Sequence, residues 1–107
     1  VLHKKEYEFN NSMFINEDVC LTAFDDFFEK YHTKSQNYKI NDDFLFIIGY
    51  SGWGPGQLEN EIERNLWLTL PYTTDLIFRT PVEQRLNLAL KKLGISDINL
   101  INMAGHA

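Results

Sequence analysis

Five consecutive apolar residues, 44–48 FLFII, run directly into GYSGWGPG, which places four glycines in eight residues. An apolar run without alternation is the pattern of a central strand covered on both faces. The glycines then lead into QLENEIE, a charged segment with helical character. After it, 66–70 LWLTL reads as a second strand, with Leu66, Leu68 and Leu70 on one side, Trp67 on the other, and Pro71 ending it. A helix between two strands implies a crossover, with the strands parallel or separated by one more strand.

Other elements fit around this unit. Short extended pieces are expected at 1–3, 12–15 SMFI and 18–22 DVCLT, separated by Asn-rich turns. Thr22 is placed to cap a helix over 23–31, with Asp25 at its third position completing a capping box. Phe24, Phe27, Phe28 and Tyr31 fall on one helical face, a stripe that packs into a core far more often than it binds a ligand. Residues 33–42 read as a polar loop. In Thr80-Pro81-Val82-Glu83, threonine caps a last helix, proline takes its first position and glutamate its third. Val82, Leu86, Leu90 and Leu93 form the buried stripe, Lys91 and Lys92 suit the negative end of the dipole, and Gly94 stops the helix. Ile98 to Ile101 packs or adds an edge strand.

A chain of 107 residues with 44% apolar and 14% aromatic content implies one domain, 1–107, with a substantial core. Net charge is −5 and the ten Lys and Arg are scattered, which disfavours direct nucleic-acid binding. No apolar run approaches the ~18 residues of a membrane span. The start VLHKKEYE lacks a signal-peptide layout, and one cysteine, Cys20, fits a reducing cytoplasm. His3, His32, His106 and Cys20 lack ligand spacing, so neither a metal nor a cofactor is expected.

The glycine stretch invites three chemical readings, and each misses. For a phosphate loop, Gly49 and Gly54 have the right separation, but Pro55 and Gly56 stand where Lys and Ser/Thr belong. For a dinucleotide fingerprint, Gly52 and Gly54 match, but Gln57 replaces the third glycine, and Glu59, Glu61 and Glu63 would repel a polyanion. For a nucleophile elbow at Ser51, Trp53 fills a position that must be small. A structural reading accounts for more residues. Gly54 caps the helix, Pro55 opens it with Gly56 following, Gln57 reaches back to the cap, and Trp53 staples over Leu58.

GYSGWGPGQLENEIERNLWL, the helix opening TPVEQR and the terminal AGHA resemble the AlgH/YqgE family of small bacterial proteins. The G-Y-x-G-W-G-x-G-Q-L-E core, Trp67, Leu76-Ile77-Phe78 with Thr80-Pro81, and Gly105-His106-Ala107 follow the family's order. The resemblance covers nearly all of the chain and implies the C-terminal part of a longer family domain, truncated at its N-terminus. It implies an α+β fold in which a bent mixed sheet forms a partly closed barrel flanked by about three helices. Alone, such a piece exposes sheet edge, which homo-oligomerisation would relieve. The resemblance implies no established catalytic residues, and some family members carry the label of transcriptional regulator of alginate synthesis.

The resulting expectation is a non-catalytic cytoplasmic domain acting through contacts with a protein partner or small ligand. Its contact surface is Ser51, Trp53, Gln57 and His106, with Gly49, Gly52, Gly54, Pro55, Gly56, Leu58, Thr80 and Pro81 in turns and caps. The rival expectation is a hydrolase or ligand-binding enzyme, with Ser51 or His106 in a pocket beside the strand-to-helix turn.

Overall fold

The computed structural model describes residues 1–34 and 37–95, and the chain divides into two compact units. The first is Val1–Ile48 with Ile77–Arg79, and the second is Gly49–Leu76 with Thr80–Ala107. The protein is α+β.

In the first unit, β1 (Leu2–Lys4), β2 (Met13–Phe14), β3 (Val19–Leu21) and β4 (Phe44–Leu45) form a sheet in the order β2-β3-β1-β4. Every pairing is antiparallel. Asn16 sets the β2–β3 hairpin, because its side-chain oxygen accepts the backbone N–H groups of Asp18 (2.8 Å) and Val19 (2.9 Å). Lys4 and Asp18 form an ion pair beside it. Among the described residues the sheet is open, neither mixed nor closed into a barrel. The expected central strand 44–50 contracts to Phe44–Leu45 at the sheet edge. Its pairings with β1 are Leu2↔Leu45 and His3↔Phe44. Residues 66–70 form no strand, and the loop expected over 33–42 contains a short helix, α2 (Ile40–Asp43).

The core of this unit is aromatic. Val1, Phe9, Phe27 and Phe44 are buried, with Tyr7, Tyr31, Tyr38 and Ile40 packed around them. Helix α1 (Phe24–Lys34) contributes only part of its stripe. Phe27 is 2% exposed, whereas Phe24 and Phe28 are 57% and 50% exposed and stack on each other. Thr22 does not cap this helix with its side chain, because the hydroxyl is engaged in the core. His3, midway along β1, is fully buried between Cys20 and Phe44 of the neighbouring strands. Its Nδ1 lies 2.9 Å from the Lys4 carbonyl, so that nitrogen carries the proton. Nε2 therefore accepts from the Thr22 hydroxyl at 2.7 Å. Thr22 in turn meets the Ser12 hydroxyl at 2.6 Å. Nearby, the Tyr7 hydroxyl donates to buried Asp43 at 2.6 Å, and burial, reinforced by that carboxylate, pushes Tyr7 up to about 12.

The second unit contains α3 (Gln57–Glu63) and α4 (Val82–Lys92); a π-helix, Asp75–Arg79, lies between them in sequence. Thr80 does not cap α4. Its hydroxyl donates to the Asp75 carbonyl at 2.7 Å, and Pro81, with extended backbone, takes the cap position without a side-chain bond. Gly94 ends α4 at φ +75°, with Ile95 N–H on the Leu90 carbonyl and Gly94 N–H on that of Lys91. The expected stripe is buried only toward this end. Leu90 is buried and Leu93 half-buried, while Val82 and Leu86 are exposed. The segments Ile98–Ile101 and Gly105–Ala107 lie outside the described residues.

The uneven burial of the α1 stripe sets two stabilities apart. Phe27→Ala is expected to cost about 3–5 kcal/mol, and Phe24→Ala about 1 kcal/mol or less, by urea denaturation. Burial disfavours the His3 imidazolium and holds this histidine below its ordinary 6.5, against the raising effect of the Lys4 carbonyl. The unfolded chain thus takes up the proton first. The contribution of His3 to stability is complete above 6.5 and is lost as the pH falls from there through the folded-state value. An NMR titration of the His3 ring should give a midpoint below 6.5, with urea midpoints falling over the same range.

Candidate functional site

The glycine turn and the two flanks of α3 converge on one carboxylate. Gln57 N–H bonds the Gly54 carbonyl at 3.1 Å, and Gly54 N–H returns a bond to Gln57 Oε1 at 2.9 Å. This reciprocal turn precedes the helix rather than opening it. The cap is Gly56 in the left-handed region at φ +73°, two residues later than expected, where a β-carbon would be strained. At the far end Asn65 adopts φ +59°, with its N–H on the Ile62 carbonyl and Leu66 N–H on that of Glu61. This is the same closing motif as in α4, with Asn in place of Gly. It reverses the chain and brings Trp67 back alongside the helix.

Glu61 accepts there from three donors. Its Oε2 receives Trp53 Nε1–H at 2.9 Å and Trp67 Nε1–H at 2.7 Å. Its Oε1 receives Gln57 Nε2–H at 3.1 Å from one helical turn earlier. The two indoles meet edge to face, with centroids 5.9 Å apart at 65°. Trp53 remains 39% exposed and Trp67 48%. The Trp67 bond first, then those of Trp53 and Gln57, hold the Glu61 carboxyl below its usual range. It is therefore an ionised acceptor near neutrality and unsuited to donate a proton as a general acid.

The residues anticipated from sequence divide accordingly. Trp53 and Gln57 are brought together, through Glu61. The Trp53 indole donates to Glu61 and meets the Trp67 ring edge to face, a polar clamp not anticipated from sequence. Ser51 is exposed; of the described histidines, His3 engages Lys4 and Thr22, and His32 engages the Phe28 carbonyl. His106 lies outside the described residues. Glu61 and Trp67 were not anticipated as site residues. The available signal was a glutamate four residues after Gln57 on a short helix with a tryptophan on each side. Among the described residues, no three or more His, Cys, Asp or Glu gather as metal ligands, and no helix is long and apolar enough to cross a membrane.

A family profile described as AlgH-like matches residues 1–97. The chain is similar to a UPF0301 protein of Colwellia psychrerythraea, 36% identical over 107 residues, which is 100% of this chain and 49% of that protein. It is likewise similar to UPF0301 proteins of Nitrosospira multiformis (39% identical) and Vibrio parahaemolyticus (38%), in each case over all of this chain and 55% of the relative. The chain thus spans about half the length of the curated relatives it matches.

If one carboxylate holds both indoles, their N–H signals must report a single protonation. In nitrogen-15 NMR spectra, Trp53 and Trp67 Nε1–H are expected to shift together on acidification. Their common midpoint should lie below the ordinary glutamate value of about 4.3. Glu61→Gln should abolish the step, and separate midpoints would contradict the shared clamp.

Proposed function

The chain belongs to the AlgH-like family, and from that premise we propose that it is a non-catalytic contact module, cytoplasmic, with its working surface at Trp53, Gln57, Glu61 and Trp67. The observation that carries this reading is a pair of half-exposed indoles fixed in place before any partner arrives. Tryptophans are the commonest energetic anchors of interfaces, and an anchor already held by hydrogen bonds loses little freedom on binding. The bond geometry speaks less for an enzyme, because both ring nitrogens of His3 are engaged within its own unit and Glu61 is held ionised. The buried Cys20 thiol, pushed up by desolvation, is a poor nucleophile as well. With a net charge of −5, a regulatory role is exercised through a bound protein or small ligand rather than through DNA.

The test is affinity capture from a bacterial lysate with the intact protein, followed by mass spectrometry of bound proteins and metabolites. Trp67→Ala should lose most of what the wild type retains, and Ser51→Ala should keep it. Loss confined to Ser51→Ala would overturn the reading in favour of Ser51 chemistry.

A further inference from the structure

The Trp53–Glu61–Trp67 cluster constrains what such a surface can hold. Both indole N–H groups are committed to Glu61 Oε2, so neither can donate to a ligand. The rings are left to offer the face area that their edge-to-face contact leaves open, whose π-electrons attract cations. Glu61 Oε1 carries one donor, Gln57, and a carboxylate oxygen accepts more than one. All three groups bound to the carboxylate are neutral donors, so its charge is not cancelled by them. Over residues 57–64, three glutamates stand against one arginine, and the whole chain carries a net −5. The local and the overall field thus have the same sign, which favours encounter with a basic partner.

We propose that the indole pair and Glu61 form a receptor for an arginine side chain presented by a partner protein. This rests on the contact-surface reading above and names its chemistry. A guanidinium is flat and weakly hydrated, so it stacks on an indole face while one edge donates to a carboxylate oxygen. An ammonium ion satisfies the charge but not the stacking. A sugar would stack, but it would find both indole donors already used.

The experiment titrates the intact protein with a short Gly/Ser peptide carrying one arginine, followed through the Trp53 and Trp67 indole signals by NMR. The same peptide with lysine and with citrulline, the neutral isostere of arginine, provides the comparison. Saturable shifts of both indoles are expected with arginine, with binding several-fold weaker for lysine and at least tenfold weaker for citrulline. Glu61→Gln should weaken arginine binding about tenfold, as should Trp67→Ala, with unchanged backbone spectra elsewhere showing that the fold is retained. Equal binding of the citrulline peptide would overturn the proposal. So would indoles shielded from acrylamide quenching in the intact protein, or a glucose oligomer shifting the indoles where arginine does not. If Trp67→Ala abolishes lysate capture while the arginine peptide fails to bind, the contact surface stands and the arginine assignment falls.

Discussion

The glycine-rich turn, helix α3 and the segment after it depend on the Glu61 carboxylate. A helix of seven residues is too short to persist in water through its own hydrogen bonds. Its start is capped by a glycine backbone without a side-chain bond. Beside the Gly54–Gln57 turn and the Asn65 closure stands the clamp, in which donors from before, within and after the helix meet at two oxygen atoms. Each bond is made at an exposed site, where a single neutral hydrogen bond contributes little net stability. Their convergence matters more, because the chain on both sides of α3 is oriented at once. The left-handed Asn65 makes this possible by turning the chain back on itself just beyond the helix.

The first unit is organised by a different constraint. Its strands are two or three residues long, too short to hold a sheet by ladder bonds alone. Packing of rings compensates. His3 on the central strand lies 5.0 Å edge-on from Phe9 and 5.9 Å from Phe44, and Phe27 from α1 lies 5.6 Å from Phe44. The imidazole thus serves as a core aromatic whose nitrogens still find partners on either side. This histidine, which lacks ligand spacing in the sequence, is a fully buried residue.

What was legible in the sequence follows from which interactions are local. The three early extended pieces and the Gly94 stop are governed by turn and cap chemistry within a few residues, and they are present. The expected strands at 44–50 and 66–70 were inferred from apolarity, which reports a tendency to be covered but not the existence of a pairing partner. Thr22 and Thr80 were both read as caps and both turned elsewhere, one to a buried imidazole and one to a carbonyl of the preceding π-helix. A hydroxyl takes the best acceptor available, and tertiary neighbours are invisible to spacing rules. In sequence Trp53 presents an apolar surface, whereas in the structure its one polar atom also finds a partner, Glu61. The partner of that atom, Glu61, looked like any solvated helix glutamate.

The hydroxyl chain behind His3 has a consequence of its own. The contacts from Nε2 to Thr22, from Thr22 to Ser12 and from Ser12 to the Phe9 carbonyl number three, and the two hydroxyls supply only two hydrogens. As in ice with a missing proton, one link must stand empty: with Thr22 donating to Nε2, the Ser12 hydrogen serves either Thr22 or the Phe9 carbonyl. A third hydrogen arriving on the imidazole would fill every link, with Nε2–H donating to Thr22, Thr22 to Ser12 and Ser12 to the Phe9 carbonyl. The buried imidazole is therefore backed by a polar thread that is one hydrogen short while the ring is neutral and complete once it is charged.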